Sequence, residues 1–497
     1  MKEAGNTRQL YVDGKPFLIL GGELGNSSAS SEAWMEQLWP RLVALNMNTV
    51  LAPVYWELLE AEEGQFDFSL VDMLVRGARR HGLKLVFLWF GVWKNSMSCY
   101  APLWVKTNTE RFPRMKDSQG KSLEILSCFS EDVLAADIRA FRALLSHIRS
   151  IDSTEHTVIM IQVENEIGMI PCARDMSETA NRLYNGPVPD LLLEALGREP
   201  SSASWEACFG ADDHTAELFM AWHYARFVDR LASAGKEEYP LPMYVNAALN
   251  RDGLAPGEYP SAGPLPHLFP VWKAGAPAID FLSPDIYFPD YKRRVLAYRR
   301  EGNPVFVPEN QLGPFNGDHA FFTVGACDAI GYSPFSVESQ ENPGESFLAR
   351  AYAVLRGLSP IILAHQGAGK TAGILLENLA ERDECTLGSW KLFFRQDRDW
   401  LPPSEPVPVG QERAGCLVIA LEDDTFLLAG KGILVTFACS DSAGGIAGIA
   451  EIDEMFPDGG LLTRGRRLNG DQNHQGRHVH LTSDGFSVQR VRLYRYS

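Results

Sequence analysis

The sequence contains no C-x-x-C pair, no apolar leader and no surplus of positive charge. Its eight cysteines, Cys99, Cys128, Cys172, Cys208, Cys327, Cys385, Cys416 and Cys439, stand singly, which excludes a paired-thiol zinc or redox motif. So few thiols in 497 residues are expected as buried small hydrophobes in a reducing compartment. The opening "MKEAGNTRQLYVDGKPF" has no apolar core of a signal peptide, so the expected location is cytoplasmic, or periplasmic or secreted if a leader has been removed. A net charge of −17 repels polyphosphate and excludes nucleic acid as the natural partner. No apolar run reaches the roughly 20 residues of a membrane helix, so no membrane partner is expected. There is no internal repeat and no low-complexity tract. Oligomeric state is left open, a homo-oligomer included.

What is present is ordinary globular material, 45% hydrophobic and 22% charged, long enough for more than one domain. "LYVDGKPFLIL" sets Asp13-Gly14 between two strand-like runs, a hairpin signal. Short apolar runs then alternate with amphipathic stretches. The strand candidates are "FLILGGE", "NTVLAPVYWE", "LKLVFLWFG", "VIMIQVENE", "PMYVNAAL", "IDFLSPDIY", "PVFVPEN" and "AIGYSPFS". Helical segments such as "SEAWMEQLWPRLVALN", "LVDMLVRGARRHG", "SEDVLAADIRAFRALLSHIRSI" and "AELFMAWHYARFVDRLASAG" separate them. Eight strands alternating with helices predict an α/β fold, a (β/α)8 TIM barrel over residues 1–369 with the hairpin at its start. After "SFLARAYAVLRGLSPIILAH" the pattern becomes short strands and turns, which predicts a C-terminal β-sandwich domain over 370–497.

Barrels of this kind place chemistry at the C-terminal ends of their strands. Those ends read Glu23, Trp56 and Glu57, Trp93 to Asn95, Glu164 to Glu166, Asn246, Asp285 and Tyr287, Glu309 and Asn310, then Tyr332. Acids, amides and aromatics dominate. There is no Ser–His–Asp set, no metal cluster and no phosphate loop, so no metal and no organic cofactor is expected. "HQGAGKTAG" mimics a phosphate loop, but Ala364 stands where the pattern needs glycine. His474, His478 and His480 lack the acid or sulfur partners of a metal site and read as a solvated loop and strand. Amides and acids hydrogen-bond hydroxyls, and two carboxylates on separate strands are what glycoside hydrolysis needs.

In "TVIMIQVENEIG" a buried strand ends in Glu164, Asn165 and Glu166. By alternation the two glutamates share a face, with Glu164 one pleat deeper. Glu164 then sits under the pocket floor and reads as a structural acid bonded to a basic residue of the barrel interior.

"QVENEIG" is similar to the fourth-strand motif of glycoside hydrolase family 35, the β-galactosidases. "VYWELLEAEEGQFDFS" resembles the second-strand segment of families 35 and 42, and "VFVPEN" lies where those barrels carry a seventh-strand nucleophile. "RRLNGDQ" and "VRLYRY" resemble the small β-domain of one bacterial branch of family 35. The resemblance implies Glu166 as acid/base, Asn165 as ligand of the sugar 2-hydroxyl and Glu309 as nucleophile. It implies Tyr287 as a donor to that nucleophile, a role Asp285 would otherwise share, and Glu23 as a sugar contact. Where the family carries an acidic Asn-containing motif this chain reads "FGVWKNSMS", and Trp93 or Asn95 is expected to line the pocket. Trp56 and Tyr332 are expected as stacking partners. The implied activity is a retaining exo-β-glycosidase, a β-galactosidase acting on an oligosaccharide or β-glycoside. The alternatives are a β-glucosidase of the same fold and a carbohydrate-binding barrel without turnover.

Overall fold

The computed structural model describes residues 1–300, 302–400, 412–440 and 445–497. Eight parallel strands are each followed in the chain by a helix. The first four pairs are β1 (Ile19–Glu23) and α1 (Glu32–Ala44), β2 (Thr49–Tyr55) and α2 (Ser69–Arg80), β3 (Lys84–Lys94) and α3 (Glu131–Asp152), β4 (Val158–Asn165) and α4 (Asp213–Glu238). The next four are β5 (Met243–Ala248) and α5 (Phe269–Gly275), β6 (Phe281–Ile286) and α6 (Tyr291–Leu296), β7 (Phe306–Val307) and α7 (Asn316–Cys327), β8 (Gly331–Tyr332) and α8 (Phe347–His365). This succession is a (β/α)8 barrel, as the strand alternation predicts.

The chain divides into two compact units. One comprises Leu24–Trp39 and Thr49–Ile286 and carries β2 to β6. Its strands are in sequence order, with Thr49 opposite Lys84, Leu85 opposite Val158, Met243 opposite Ile161 and Tyr244 opposite Phe281. Both faces of β2 and β4 are buried throughout, which is why they read as continuous apolar runs. The long helices start on caps: Ser130 Oγ accepts from the Val133 amide and Asp212 Oδ1 from the Thr215 amide.

The other unit comprises Met1–Glu23, Pro40–Asn48 and Tyr287–Ser497. Here β8 lies between β7 and β1, with Gly331 opposite both Phe306 and Ile19. The predicted hairpin joins Thr7–Val12 to Lys15–Phe17, and Asp13 and Gly14 both take the positive φ (52° and 76°) of a tight primed turn. From Thr371 the chain forms two antiparallel sheets. The larger holds β9 (Thr371–Leu376), β12 (Ala414–Glu422), β13 (Thr425–Lys431), β18 (Ser487–Tyr496), β15 (Ile446–Asp458) and β16 (Leu461–Leu468), in that order. The smaller holds β10 (Arg382–Leu387), β11 (Trp390–Gln396), β14 (Ile433–Cys439) and β17 (Val479–Leu481). Leu392, Phe394 and Val435 from one sheet share a core with Val418, Leu428 and Val491 from the other, so this is a sandwich.

The sandwich belongs to the same compact unit as β1, β7 and β8 and does not stand apart from them. Helix α7 packs on β9 and β12. A Cβ at Gly325 would lie 2.5 Å from the Ala372 carbonyl, and one at Gly415 would lie 2.6 Å from Asp318 Cα. Between them Lys431 pairs with Asp318 at 3.0 Å, both fully buried. Helix α8 is long and apolar enough to cross a bilayer by length and composition, but half of it is buried in protein. Its Tyr352 hydroxyl donates to the Gly21 and Tyr332 carbonyls, as a core helix would.

Candidate active site

In the first unit the ends of β3, β4, β5 and β6 form a polar group. Asn165 is fully buried, and neither its Oδ1 nor its Nδ2 has a hydrogen-bond partner among the described residues. A buried amide left unbonded costs on the order of 1–3 kcal/mol, so such a group suits a ligand that completes it. Glu166 follows; its carboxylate accepts from Asn95 Nδ2 and its backbone amide donates to Asn246 Oδ1 at 3.0 Å. Asn246 Nδ2 in turn donates to Asp285 Oδ2 at 2.6 Å. Asn246 was visible at its strand end in the sequence, but its role as the brace between Glu166 and Asp285 was not. Asp285 is buried and serves that brace.

In the second unit Glu309 is 4% exposed and its carboxylate accepts from the hydroxyl of Tyr287, which is 41% exposed. Glu23 is buried at the end of β1 and pairs through its backbone with Phe335, whose amide donates to the Asn310 carbonyl at 2.9 Å. The Phe335 ring meets Tyr287 edge-on, centroids 6.5 Å apart. In "GYSPFS" the strand-end position points to Tyr332, whereas the half-buried aromatic is Phe335, three residues on.

Three aromatics predicted to line a sugar site lie elsewhere. Trp56 is fully buried, donates Nε1–H to Glu60 Oε2 at 2.9 Å and packs against Trp104. Trp93 is fully buried against Tyr224 and Phe227 of α4. Tyr332 is also fully buried, where its hydroxyl donates to Asn310 Oδ1 at 2.6 Å and accepts from Asn316. None offers a face to a ligand. At Trp93 the β3–β4 register shifts between Trp89 and Lys94, so side-chain direction there no longer follows simple alternation, and Trp56 opens a helical turn, Trp56–Leu59, in place of extending β2. Asn95, beyond the shift at φ 49°, is exposed.

The alternation argument for β4 fails for a related reason. Glu164 and Glu166 adopt φ of 59° and 46°, a left-handed conformation uncommon outside glycine. Glu164 turns towards α3, where among the described residues it meets no base but a second acid, Asp137. Burial and that neighbouring carboxylate push Glu164 well above the ordinary carboxylate range.

Fold and strand ends together give a (β/α)8 barrel with acids and amides where the strands end. Residues 9–226 match the glycosyl hydrolases family 35. Residues 348–480 match a domain of unknown function, DUF5597. Among curated proteins, a β-galactosidase of Xanthomonas manihotis is 36% identical over 81 residues, 16% of this chain and 13% of that protein. The β-galactosidase-1-like protein 3 of Rattus norvegicus is 27% identical over 190 residues, 37% of this chain and 28% of its own length. The chain therefore spans well under a third of either relative. A cold-adapted β-galactosidase from Rahnella sp. R3 superposes with a TM-score of 0.50 at 15% identity, over 71% of this chain and 58% of that one. A β-galactosidase from Bacillus circulans sp. alkalophilus does so with a TM-score of 0.50 at 14% identity, over 70% and 57%. These two likenesses are likenesses of fold.

Proposed function

We propose that this protein is a retaining exo-β-glycosidase, and specifically a β-galactosidase that removes terminal non-reducing galactose from oligosaccharides or other β-glycosides. Glu309 attacks the anomeric carbon, the glycosidic C–O bond breaks, and Glu166 gives its proton to the leaving oxygen. In the second step Glu166 takes a proton from water, the hydroxide attacks the anomeric carbon, and the bond to Glu309 breaks. Asn165 binds the sugar 2-hydroxyl, a bond that strengthens as positive charge grows on the ring. Glu23 contacts the sugar, and Tyr287 holds the nucleophile through its hydroxyl.

The observation that carries this reading is the Asn165–Glu166 pair: a fully buried amide with both polar atoms unbonded, beside a carboxylate held by Asn95. A binding-only barrel has no need of a second strand-end glutamate held by a tyrosine, as Glu309 is. Two mechanistic glutamates of a retaining enzyme work at roughly 5–5.5 Å, an inverting pair at roughly 6.5–9.5 Å. We place the protein in the cytoplasm, with its eight cysteines all as free thiols in support.

The test is a panel of chromogenic β-glycosides with the product anomer followed by NMR. Hydrolysis of the β-galactoside with β-anomer released first is expected. Preference for the β-glucoside selects the rival specificity. Release of the α-anomer first overturns the double displacement.

A further inference from the structure

Glu164 and Asp137 are both fully buried, and each has one oxygen satisfied: Glu164 Oε2 accepts from the Trp93 amide at 2.6 Å and Asp137 Oδ1 from Trp89 Nε1 at 2.9 Å. Their other oxygens, Glu164 Oε1 and Asp137 Oδ2, receive no N–H or O–H from any other described group. The two carboxyl groups are neighbours: Trp89 Nε1, which donates to Asp137, and Glu164 Oε1 both lie within 3 Å of where a Cβ at Gly91 would sit. Two carboxylates so placed cannot bond each other, because each only accepts; one proton between them satisfies both remaining oxygens at once. No Lys or Arg among the described residues neutralises either acid. Arg139 of α3 goes to Glu60 at 2.7 Å, and Lys94 lies over the Phe90 ring. Glu60 is a further acid acting on Asp137, and α4 brings Tyr224, whose hydroxyl is committed to the Gly168 carbonyl.

The backbone is shaped around this pair. A Cβ at residue 91 would lie 2.8 Å from Glu164 Oε1 and 2.2 Å from Trp89 Nε1, so Gly91 leaves the room the pair occupies. The β3–β4 register shift falls in the same segment. Glu164 itself holds a positive φ, a strained state that persists only where surroundings over-determine it. Gln162 Nε2 adds a bond to the Glu164 carbonyl at 3.0 Å. The next two residues in the chain are Asn165 and Glu166.

We propose that Glu164 and Asp137 share a single proton, and that this acid–carboxylate bond between β4 and α3 is the positioning element that aims Asn165 and Glu166. Its catalytic consequence rests on the function proposed above; the shared proton does not. Glu164 touches neither substrate nor reacting atoms. It fixes the turn from which Asn165 and Glu166 project.

Infrared difference spectroscopy of the native protein against Glu164→Gln at neutral pH tests the proton directly. A protonated-carboxyl C=O band present in the native protein and lost both in Glu164→Gln and in Asp137→Asn is expected. Turnover on an aryl β-galactoside tests the positioning. Glu164→Ala is expected to lose on the order of 10²-fold, the scale of a small misplacement of reacting groups. Glu164→Gln, which supplies an N–H towards Asp137 in place of the proton, is expected to restore most of that loss. Absence of the band overturns the shared proton, and a Glu164→Gln enzyme as slow as Glu164→Ala overturns the positioning role. If Glu164→Ala does not fold, the comparison is made between Glu164→Gln and Glu164→Asp, whose shorter arm breaks the bond while keeping the acid; an Asp variant no slower than Gln overturns the positioning role. Should the native protein turn over no glycoside, the proposed reaction fails while the band still decides the proton.

Discussion

Glu166 and Glu309 stand on supports built in different ways. In the first unit the support is backbone: β3 has 11 residues, β4 has 8, and Lys94 still pairs with Asn165 at the very end of the ladder. In the second unit β7 and β8 have only two residues each, and Glu309 follows directly after Pro308, which donates no hydrogen bond. Glu309 and Asn310 form a strand of only two residues, and side chains add to so short a ladder. Asn310 Oδ1 takes bonds from Tyr332 (2.6 Å), Asn316 (3.0 Å) and His319 (3.3 Å). The other ring nitrogen of His319 accepts from Arg413 at 2.9 Å, which leaves the hydrogen on the nitrogen facing Asn310. Burial and the Arg413 charge hold His319 well below its ordinary pKa, so it stays the neutral donor this chain requires. Arg413 immediately precedes strand β12 of the sandwich. The lesson is that short strands are tolerated beside a buried strand-end acid when another layer supplies the rigidity, and that the β-domain supplies part of it.

The largest effect that would sharpen this contrast comes from the glutamates themselves. Glu309→Gly is expected to lose on the order of 10⁴-fold or more in kcat while remaining folded, since a missing nucleophile removes the covalent route. Azide or fluoride with an activated glycosyl fluoride is expected to restore turnover. Glu166→Ala is expected to cost on the order of 10²–10⁴-fold on a poor leaving group and far less on an activated aryl group, which needs no proton. Native-like activity in Glu309→Gly would sink the assignment.

Next in size is the contact between α7 and the sandwich. Lys431→Met strands the Asp318 carboxylate in a fully buried site, and breaking such a pair costs about 3–5 kcal/mol. Thermal unfolding is expected to show that loss at neutral pH and much less of it in acid. Burial already raises Asp318 to about 6 despite Lys431. Its folded-state pKa lies above the unfolded value near 3.9, so its contribution to stability is full below about pH 4 and is lost as pH rises towards 6. Asp318→Asn is expected to flatten that slope. An unaltered slope would separate the sandwich from the stability of the second unit's half-site.

The same contrast explains what could be read from the sequence. Strands β2 to β6 and helices α1 to α4 and α8 stand out because long buried elements leave long apolar or amphipathic runs, as in β4 and α3. The short helices α5 and α6 carry too few turns for a period to show. In the sandwich, β10 reads "RDECTL", opens on three consecutive charges, and is not legible as a strand. At the site, residue types were legible and directions were not. Trp56, Trp93 and Tyr332 are core residues; for Trp93, and for Glu164 with its acid neighbour, strand-end direction depends on a register shift and on positive φ at Glu164 and Glu166. Asp137 lies mid-helix on another element, and no local pattern marks it as the partner of Glu164.

Smaller still is the effect of the Tyr287 hydroxyl. Tyr287→Phe removes a charge-assisted bond to Glu309 and leaves the ring in place against Phe335. Such bonds contribute about 1.5–3 kcal/mol, so a fall of roughly 10–10²-fold in kcat/KM is expected. An effect below about threefold, on the same conversion of free energy to rate, would mean that Tyr287 packs and does not hold the nucleophile.

The smallest effect belongs to Asn95, and its size decides whether the backbone half is as self-sufficient as its long strands imply. Asn95 is exposed and donates to the Glu166 carboxylate from a left-handed residue just past β3. Removing it leaves the Glu166 oxygen open to water, which replaces an exposed donor at little cost, whereas the Glu166 backbone stays held by Asn246 at 3.0 Å and by the turn at Glu164. Asn95→Ala is therefore expected to lower kcat/KM by no more than about fivefold, within about 1 kcal/mol. Asn95→Gly is expected to do no worse, because glycine takes φ 49° without the strain a Cβ imposes. A loss as large as that of Tyr287→Phe would show that a side chain, not the ladder, aims Glu166. The two supports would then differ in length of strand but not in kind.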